Sequence, residues 1–422
     1  MKTVIRIGNS VKPTRESGLE KISGMEIDAK LELIQSLIPL GLLHVEEELL
    51  KEVEHLAGPR HSRGAGLPGH VRWGRQGGSV FLLDQKVPMS VPRVRDRARK
   101  TEVPLSFYQS MQTPRRGDEG LLLRVLRGIS CRSYKTAAEA VPEALGMAPS
   151  SVSRRFIAVS ARKLRELMER DLSGHDFVAL VLDGKAFGKS CEMVTALGIT
   201  LDGKKIVLGF TETVTENEAV CTEFLRGLVD RGLCFEKGLL VALDGAKGLR
   251  KAVDRVFAGR ALVQRCQWHK RENVVRYLGE KQRKTIRGRL QHAYDRPTLA
   301  EAKAALLRVK KELSLQNESA VRSLEEGFEE TLTLHRLGVF RELGISLKTT
   351  NSIESLHSLI ASRTDKVDHW KNSNQRQRWV ATALLDIEPG LRRIKGFRHL
   401  PALRHALQVE LNLVPNQNEK LA

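Results

Sequence analysis

Apolar positions near the N-terminus fall at helical spacing. Ile27, Leu31, Ile34 and Ile38 share one face and predict a helix over residues 26–38. Pro39 and Gly41 break the pattern, so a second helix is expected over 42–56. The pair is acid-rich, which suits core packing or self-association better than reading DNA. Residues 58–78 are dense in Gly, Arg and His and read as a linker. The period then changes to two. Val87, Met89 and Val91 alternate with Lys86, Pro88 and Ser90, so residues 79–83 and 86–95 predict a hairpin. Pro88 and Pro92 mark its second strand as an edge.

From 119 to 170 the helical period returns. Residues 134–141, then Gly146, then residues 148–156 give a short helix, a turn and a polar-capped second helix. As a helix-turn-helix this segment would turn Ser150, Ser151, Ser153 and Arg154 to the major groove, with Arg155 beside them, and pack Val152 and Phe156 inward. An ordinary αα-hairpin carries the same pattern.

Beyond Asp176 short apolar runs dominate. Residues 177–183, 193–200 and 205–211 predict strands, with Asp202-Gly203 as a two-residue hairpin turn. A helix over 218–230 turns Ala219, Phe224, Leu225 and Leu228 inward. A strand over 239–244, a helix over 248–257 and a strand over 261–266 complete the order β-β-β-α-β-α-β-α. Residues 273–344 are helix-like and charge-rich, with no convincing strand.

Two of these strands end alike. Val181-Leu182-Asp183-Gly184 and Val241-Ala242-Leu243-Asp244-Gly245 each bring one carboxylate to the carboxyl end of an apolar run, where open α/β sheets place their sites. Paired carboxylates repel, and a divalent cation with oxygen preference such as Mg²⁺ relieves the repulsion. The competing reading of each is a strand-end turn cap before Gly. A third acid, Glu354, stands in the first turn of a helix beginning at Thr350-Asn351-Ser352-Ile353, with Ile353, Leu356, Leu359 and Ile360 as its apolar stripe. It reads either as a ligand or as the Glu of a capping box with Asn351 as N-cap.

Charge sharpens this chemistry. Lys and Arg number 70 against 50 Asp and Glu, a net charge of +20, which favours a polyanionic partner. Arg93 and Arg95 at the end of the hairpin, with Arg97, Arg99 and Lys100 after it, read as phosphate contacts or as a solvated face. Arg265 and Lys270 are candidates for backbone phosphates. Arg363, Lys366, Lys371, Arg376 and Arg378 interleave with Trp370 and Trp379 and read as a surface for a DNA strand near the cut, or as a solvated helix whose Trp side chains are core. Arg392, Arg393, Lys395, Arg398 and Arg404 carry the basic character into the tail. Cys266-Gln267-Trp268-His269 offers half a tetrahedral zinc site, and no second Cys/His pair follows at finger-like spacing. The five Cys (131, 191, 221, 234 and 266) form no disulfide framework, which points to a reducing cytosol. No run of eighteen apolar residues and no apolar leader core is present, so neither a membrane partner nor export is expected.

Asp183-Gly184, Asp244-Gly245-Ala246-Lys247-Gly248-Leu249, Gln264-Arg265-Cys266-Gln267-Trp268-His269-Lys270 and Asn351-Ser352-Ile353-Glu354 occur in that order. So do Ser362-Arg363-Thr364-Asp365, Gln377-Arg378-Trp379-Val380 and Arg393-Ile394-Lys395-Gly396-Phe397-Arg398-His399-Leu400. This ordered set, from about Gly74 to Leu407, resembles the mutator-type bacterial insertion-sequence transposases. The resemblance implies a DDE recombinase with Asp183, Asp244 and Glu354 as its acids and Mg²⁺ (or Mn²⁺) as its metal. It also implies an all-α insertion before Glu354 and a role close to the active site for Cys266 and His269. The strand order is shared with the α/β ribonuclease-H-like nucleases and recombinases, whose first and fourth strands are neighbours, which sets Asp183 beside Asp244.

The expected organisation is a helical segment (1–57), a linker and β-hairpin (58–118), a helix-turn-helix region (119–172), a ribonuclease-H-like core (173–272 and 345–390), an all-α insertion (273–344) and a basic tail (391–422). The implied partners are the terminal inverted repeats of its own element and target DNA, held by a homodimer or larger synaptic complex in the bacterial cytoplasm, in association with the nucleoid. The rival functions are a DNA-binding regulator using only the helix-turn-helix, and a structure-specific nuclease with the same core.

Overall fold

The computed structural model describes residues 27–414, except 63–64, 83–84, 113–116, 128–148, 188–190, 215–216 and 368. It divides into two compact units with a border after residue 156; residues 126 and 127 belong to the second.

The first unit begins with one helix, α1 (Ile27–Ala57), rather than the two expected around Pro39. Proline removes a single backbone donor, and burial elsewhere can outweigh that loss. Val45, Leu49 and Val53 of α1 are buried with Val80, Val91 and Val94 of an antiparallel sheet. That sheet runs in the order β1 (His70–Leu82), β2 (Gln85–Asp96), β3 (Thr101–Val103). β1 starts well inside the segment read as linker. The glycine there serves a bulge: the β1–β2 register shifts between Arg72 and Arg75, and Gly74 has φ +79°. β3 covers only Val94–Asp96 of β2, so among the described residues Pro88 and Pro92 lie on a stretch paired on one side, with β1.

Two short helices, α2 (Ser106–Met111) and α3 (Gly117–Leu126), precede α4 (Pro149–Met168). The first helix and turn of the expected helix-turn-helix fall outside the described residues. On α4, Val152 and Phe156 are buried, Ser150 and Arg154 are exposed, and Ser151, Ser153 and Arg155 are half-buried.

The second unit has the expected order of elements: β4 (Phe177–Ala186), β5 (Glu192–Thr200), β6 (Lys205–Thr213), α5 (Glu218–Asp230), β7 (Leu239–Leu243), α6 (Lys247–Phe257), β8 (Ala261–Arg265) and α7 (Gln267–Val275). The sheet order is β6-β5-β4-β7-β8, antiparallel from β6 to β4 and parallel from β4 to β8. The β5–β6 turn is longer than expected. Thr200 N–H donates to Lys204 O at 3.0 Å around a three-residue loop whose last member, Gly203, has φ +84°.

Helices cover both sheet faces. Phe224, Leu225 and Leu228 of α5 face inward as expected, joined by Cys221 rather than the exposed Ala219, and they pack with Leu249, Val253 and Phe257 of α6. The other face is covered by α12 (Phe340–Leu347), α13 (Asn351–Thr364), α14 (Ser373–Ile387) and α15 (Leu400–Glu410).

The segment before α12 is helical throughout: α8 (Glu280–Tyr294), α9 (Leu299–Ser314), α10 (Glu318–Glu325) and α11 (Thr333–Arg336). It has its own core around Ile286, Leu290, Tyr294, Leu306 and Leu324. Its return to the sheet is clamped by Gln264, fully buried, whose Oε1 accepts from Leu334 N–H at 2.9 Å and whose Nε2 donates to Thr331 O at 3.0 Å. The basic tail is not a loose appendage. Leu400, Leu403 and Leu407 enter the core, and buried Arg404 donates to Gly238 O, Phe177 O and Asp176 Oδ1, each at 2.6 Å.

Candidate active site

Register brings the first two acids together. Leu182 of β4 lies opposite Leu243 of parallel β7, so Asp183 and Asp244 are the next residues on adjacent strands. Side chains alternate between faces. Ala179, Val181, Leu240 and Ala242 enter the core beneath α13, whereas Leu180, Leu182, Val241 and Leu243 enter the opposite one. Asp183 and Asp244 continue the first set, so both belong to the face that α13 covers.

The two Asp-Gly pairs are not equivalent. β4 does not end at Asp183 but runs on to Ala186, paired with β5; only its parallel pairing to β7 stops at Leu182. Asp183 is 5% exposed. Asp244 leaves β7, and its Oδ1 accepts Ala246 N–H at 3.0 Å in an Asx turn, so the turn-cap role is real and uses one carboxylate oxygen. Gly245 is required here. Its φ is +107°, and a side chain would meet the Arg265 guanidinium.

Glu354 arrives from α13. The N-cap is Thr350, so Glu354 stands fourth in the helix and not third, where a capping box needs it. Thr350, fully buried, instead donates from Oγ1 to Glu354 Oε1 at 2.9 Å. Leu359, expected on the buried stripe, is exposed; His357 takes that place. His357 Nε2 lies 3.1 Å from Thr195 Oγ1, and its Nδ1 lies 3.6 Å from Asp183 Oδ2 with no hydrogen-bond partner among the described residues. Burial, and then the nearby Lys185 charge, push His357 down to about 4. It is therefore neutral at pH 7 and brings no positive charge to Asp183.

Cys266 is the N-cap of α7 and His269 lies in its first turn. The Thr350 hydroxyl is 3.6 Å from Cys266 Sγ and 3.3 Å from His269 Nδ1, while His269 Nε2 is 4.0 Å from Glu354 Oε1. Burial works against an imidazolium at His269. The hydrogen bond and charge of Cys266, then the charges of Asp183 and Asp244, outweigh it and raise the group to about 9. Among the described residues, Cys266, His269 and Glu354 form a metal-competent group with donor atoms all within 4.8 Å of one another; Asp183 and Asp244 are not part of it.

Several expected phosphate contacts are placed otherwise. Arg265 is buried and donates to Glu326 O and Gly245 O at 3.1 and 3.2 Å. Lys270, 1% exposed, donates to Ser323 O and Glu326 O, both at 2.6 Å, and burial pushes it down to about 8. Both therefore tie α7 and β8 to the helical segment and are turned away from solvent. Arg378 is buried against Asn374 Oδ1 at 2.8 Å and Ser160 Oγ at 3.2 Å. Arg376 and Arg363 are held by Glu212 and Asp386 at 3.2 and 3.1 Å. Lys371 is exposed. Trp370 meets Trp379 edge-on and lies 5.4 Å from Phe187. Phe187 and Trp370 line a cavity of about 230 Å³ together with His357 and Lys185, which stands two residues along β4 from Asp183. Thr350 and His357 escaped the sequence reading. The helical recurrence of buried positions 353, 356, 357, 360 and 364 was the available signal for His357.

Comparison with known proteins gives a consistent picture. The family described as Transposase, Mutator family, matches residues 32–390. The chain is 28% identical over 410 residues to the transposase for insertion sequence element ISRM5 of Rhizobium meliloti, covering 93% of this chain and 99% of that one. It is 28% identical to the transposase for insertion sequence element IS6120 of Mycolicibacterium smegmatis, over 68% of this chain and 89% of the relative. It is 27% identical to the transposase for insertion sequence element IS256 in transposon Tn4001 of Staphylococcus aureus, over 71% and 76% respectively.

Proposed function

The chain belongs to the Mutator family of transposases, and from that premise we propose that it cuts and joins DNA at Asp183, Asp244 and Glu354 of a ribonuclease-H-like core. The observation that supports this reading is the parallel β4–β7 register, whose last pair, Leu182 and Leu243, directly precedes Asp183 and Asp244, with α13, which bears Glu354, packed on the same face of the sheet. The strand order β6-β5-β4-β7-β8 supports the fold assignment.

The donor chemistry fits a hard divalent cation. The three acids offer oxygen, and the histidine against Asp183 is neutral, so it does not compensate their charge. Mg²⁺ or Mn²⁺ held by Asp183, Asp244 and Glu354 would activate the attacking oxygen and stabilise the leaving one in an in-line displacement at phosphorus. The chain's own residues do the positioning. Asp244 is fixed by its turn, Glu354 by the Thr350 hydroxyl, and the strand carrying Asp183 by pairing on both sides. In the first reaction water attacks the phosphodiester and a 3′-hydroxyl leaves; in the second that hydroxyl attacks a phosphodiester of target DNA and displaces a 3′-hydroxyl of the target strand. Phe187 and Trp370 offer stacking surfaces for a DNA strand, with Lys185 and Lys371 as exposed cations nearby in sequence. The face of α4 bearing Ser150, Ser151, Ser153, Arg154 and Arg155 reads the terminal repeats, and two DNA ends require a dimer or larger assembly. No helix among the described residues is long and apolar enough to cross a membrane.

The test is incubation of the purified chain with labelled duplexes carrying the element's ends. The proposal expects Mg²⁺-dependent nicking at the end, followed by joining of the 3′-hydroxyl to a second duplex. EDTA-insensitive binding without cutting would identify a regulator, and cutting without end preference or joining would identify a nuclease; either outcome overturns the proposal.

A further inference from the structure

We infer that Cys266, His269 and Glu354 form a second cation site, for a thiophilic divalent ion of the Zn²⁺ class, that draws Glu354 away from Asp183 and Asp244. The C-x-x-H segment alone supplies only two donors. The fold brings a third from a distant helix, so that sulfur, imidazole nitrogen and carboxylate oxygen lie within 4.8 Å of one another.

The geometry suits a small tetrahedral ion. Metal–ligand bonds of about 2.0–2.3 Å put the edges of such a site at roughly 3.3–3.8 Å. Closing the cluster therefore takes side-chain movements of about 1 Å. The partly exposed His269 and Glu354 side chains (28% and 35%) have that freedom, while Cys266 is fully buried and fixed. Cys266 is the N-cap residue of α7, so the sulfur stands at the start of the helix that carries His269 in its first turn.

The donor set also selects. Thiolate and imidazole favour Zn²⁺, Co²⁺ or Cd²⁺, whereas Mg²⁺ takes oxygen ligands. Three protein donors leave the fourth position to solvent, the pattern of an exchangeable site and not of a closed structural one. The bland reading is a hydrogen-bond cluster around the Thr350 hydroxyl, which touches all three donors. It predicts no cation affinity, and cation binding separates the two. The inhibitory consequence, loss of Glu354 from the Mg²⁺ site, rests on the catalytic reading above; the binding itself does not.

The probe is Co²⁺ titrated into the untagged full-length chain, read by the thiolate-to-cobalt charge-transfer band and tetrahedral d–d absorption. One equivalent is expected to give both signals in wild type. Cys266→Ser is expected to abolish the charge-transfer band. His269→Asn and Glu354→Gln, at partly exposed side chains, are expected to weaken binding at least tenfold. Asp183→Asn with Asp244→Asn is expected to leave the band in place. Absence of the band at stoichiometric Co²⁺, its survival in Cys266→Ser, or wild-type affinity in both His269→Asn and Glu354→Gln overturns the site. If Glu354→Gln loses cobalt yet still cleaves DNA, the cation site stands and the catalytic assignment of Glu354 falls.

Discussion

Thr350→Val isolates one interaction at the proposed centre. The Thr350 hydroxyl is fully buried and donates to Glu354 Oε1 at 2.9 Å. Hydrogen bonds to a charged group are worth about 1.5–3 kcal/mol. The Glu354 side chain is 35% exposed, so water recovers part of that, and a net loss of about 1.4 kcal/mol is reasonable. If this energy holds the carboxylate in its working position, single-turnover nicking of a terminal-repeat duplex falls about tenfold. Valine nearly matches threonine in volume, and the backbone bonds from Thr350 O to Ile353 and Glu354 N–H persist, so the melting temperature should change little. Thr350→Ser keeps the hydroxyl and should cleave within about twofold of wild type. Wild-type cleavage by Thr350→Val, or an equal loss in Thr350→Ser, refutes the positioning role.

Three further outcomes are expected. Gln264→Leu leaves the Leu334 N–H without its acceptor, while Thr331 O keeps Gln267 as donor at 2.9 Å; denaturant unfolding should show a loss of about 1–3 kcal/mol, and an unchanged midpoint would contradict the clamp. The Arg287 guanidinium, which donates to both carboxylate oxygens, and then Arg271 hold the Glu272 carboxyl below the usual range. Its stabilisation is therefore complete above the ordinary Glu pKa of about 4.3 and is lost as pH falls through the lower folded value. Glu272→Gln should cost about 1 kcal/mol at pH 7, with the gap closing in acid; a gap that persists at pH 2 argues against this pairing. Arg154, exposed on α4, should contribute to sequence reading, so Arg154→Ala should weaken binding to terminal-repeat DNA by about 1–3 kcal/mol more than to random duplex in fluorescence anisotropy; equal loss on both would reduce it to a phosphate contact.

The sequence made the sheet legible because its strands are short apolar runs bounded by turn residues, and because two of them end in Asp-Gly. Boundaries were less legible. β4 and β6 run past their apolar cores because pairing with β5 continues through Lys185 and Glu212, which periodicity treats as exposed. Pro39 looked like a stop, yet packing of the second half of α1 carries the helix through it. Basic residues were the weakest guide. Arg265, Lys270 and Arg378 read as DNA contacts, but each is buried on backbone carbonyls or a hydroxyl that the tertiary fold supplies. The Thr350–His269 and His357–Thr195 contacts were invisible for the same reason: the partners lie 81 and 162 residues apart. Glu354 was ambiguous between cap and ligand. One residue of helix start decides against the cap, because Thr350 and not Asn351 precedes the first turn.

The central claim is that Asp183, Asp244 and Glu354 carry the chemistry while other surfaces hold the DNA. The most direct measurement is Mg²⁺-dependent cleavage of a labelled terminal-repeat duplex by Asp183→Asn, Asp244→Asn and Glu354→Gln, each alongside a binding assay on the same DNA. The account predicts that all three lose cleavage while binding the ends within a few-fold of wild type. Wild-type cleavage by any one of them, at equal protein concentration and with an intact fold, would contradict it.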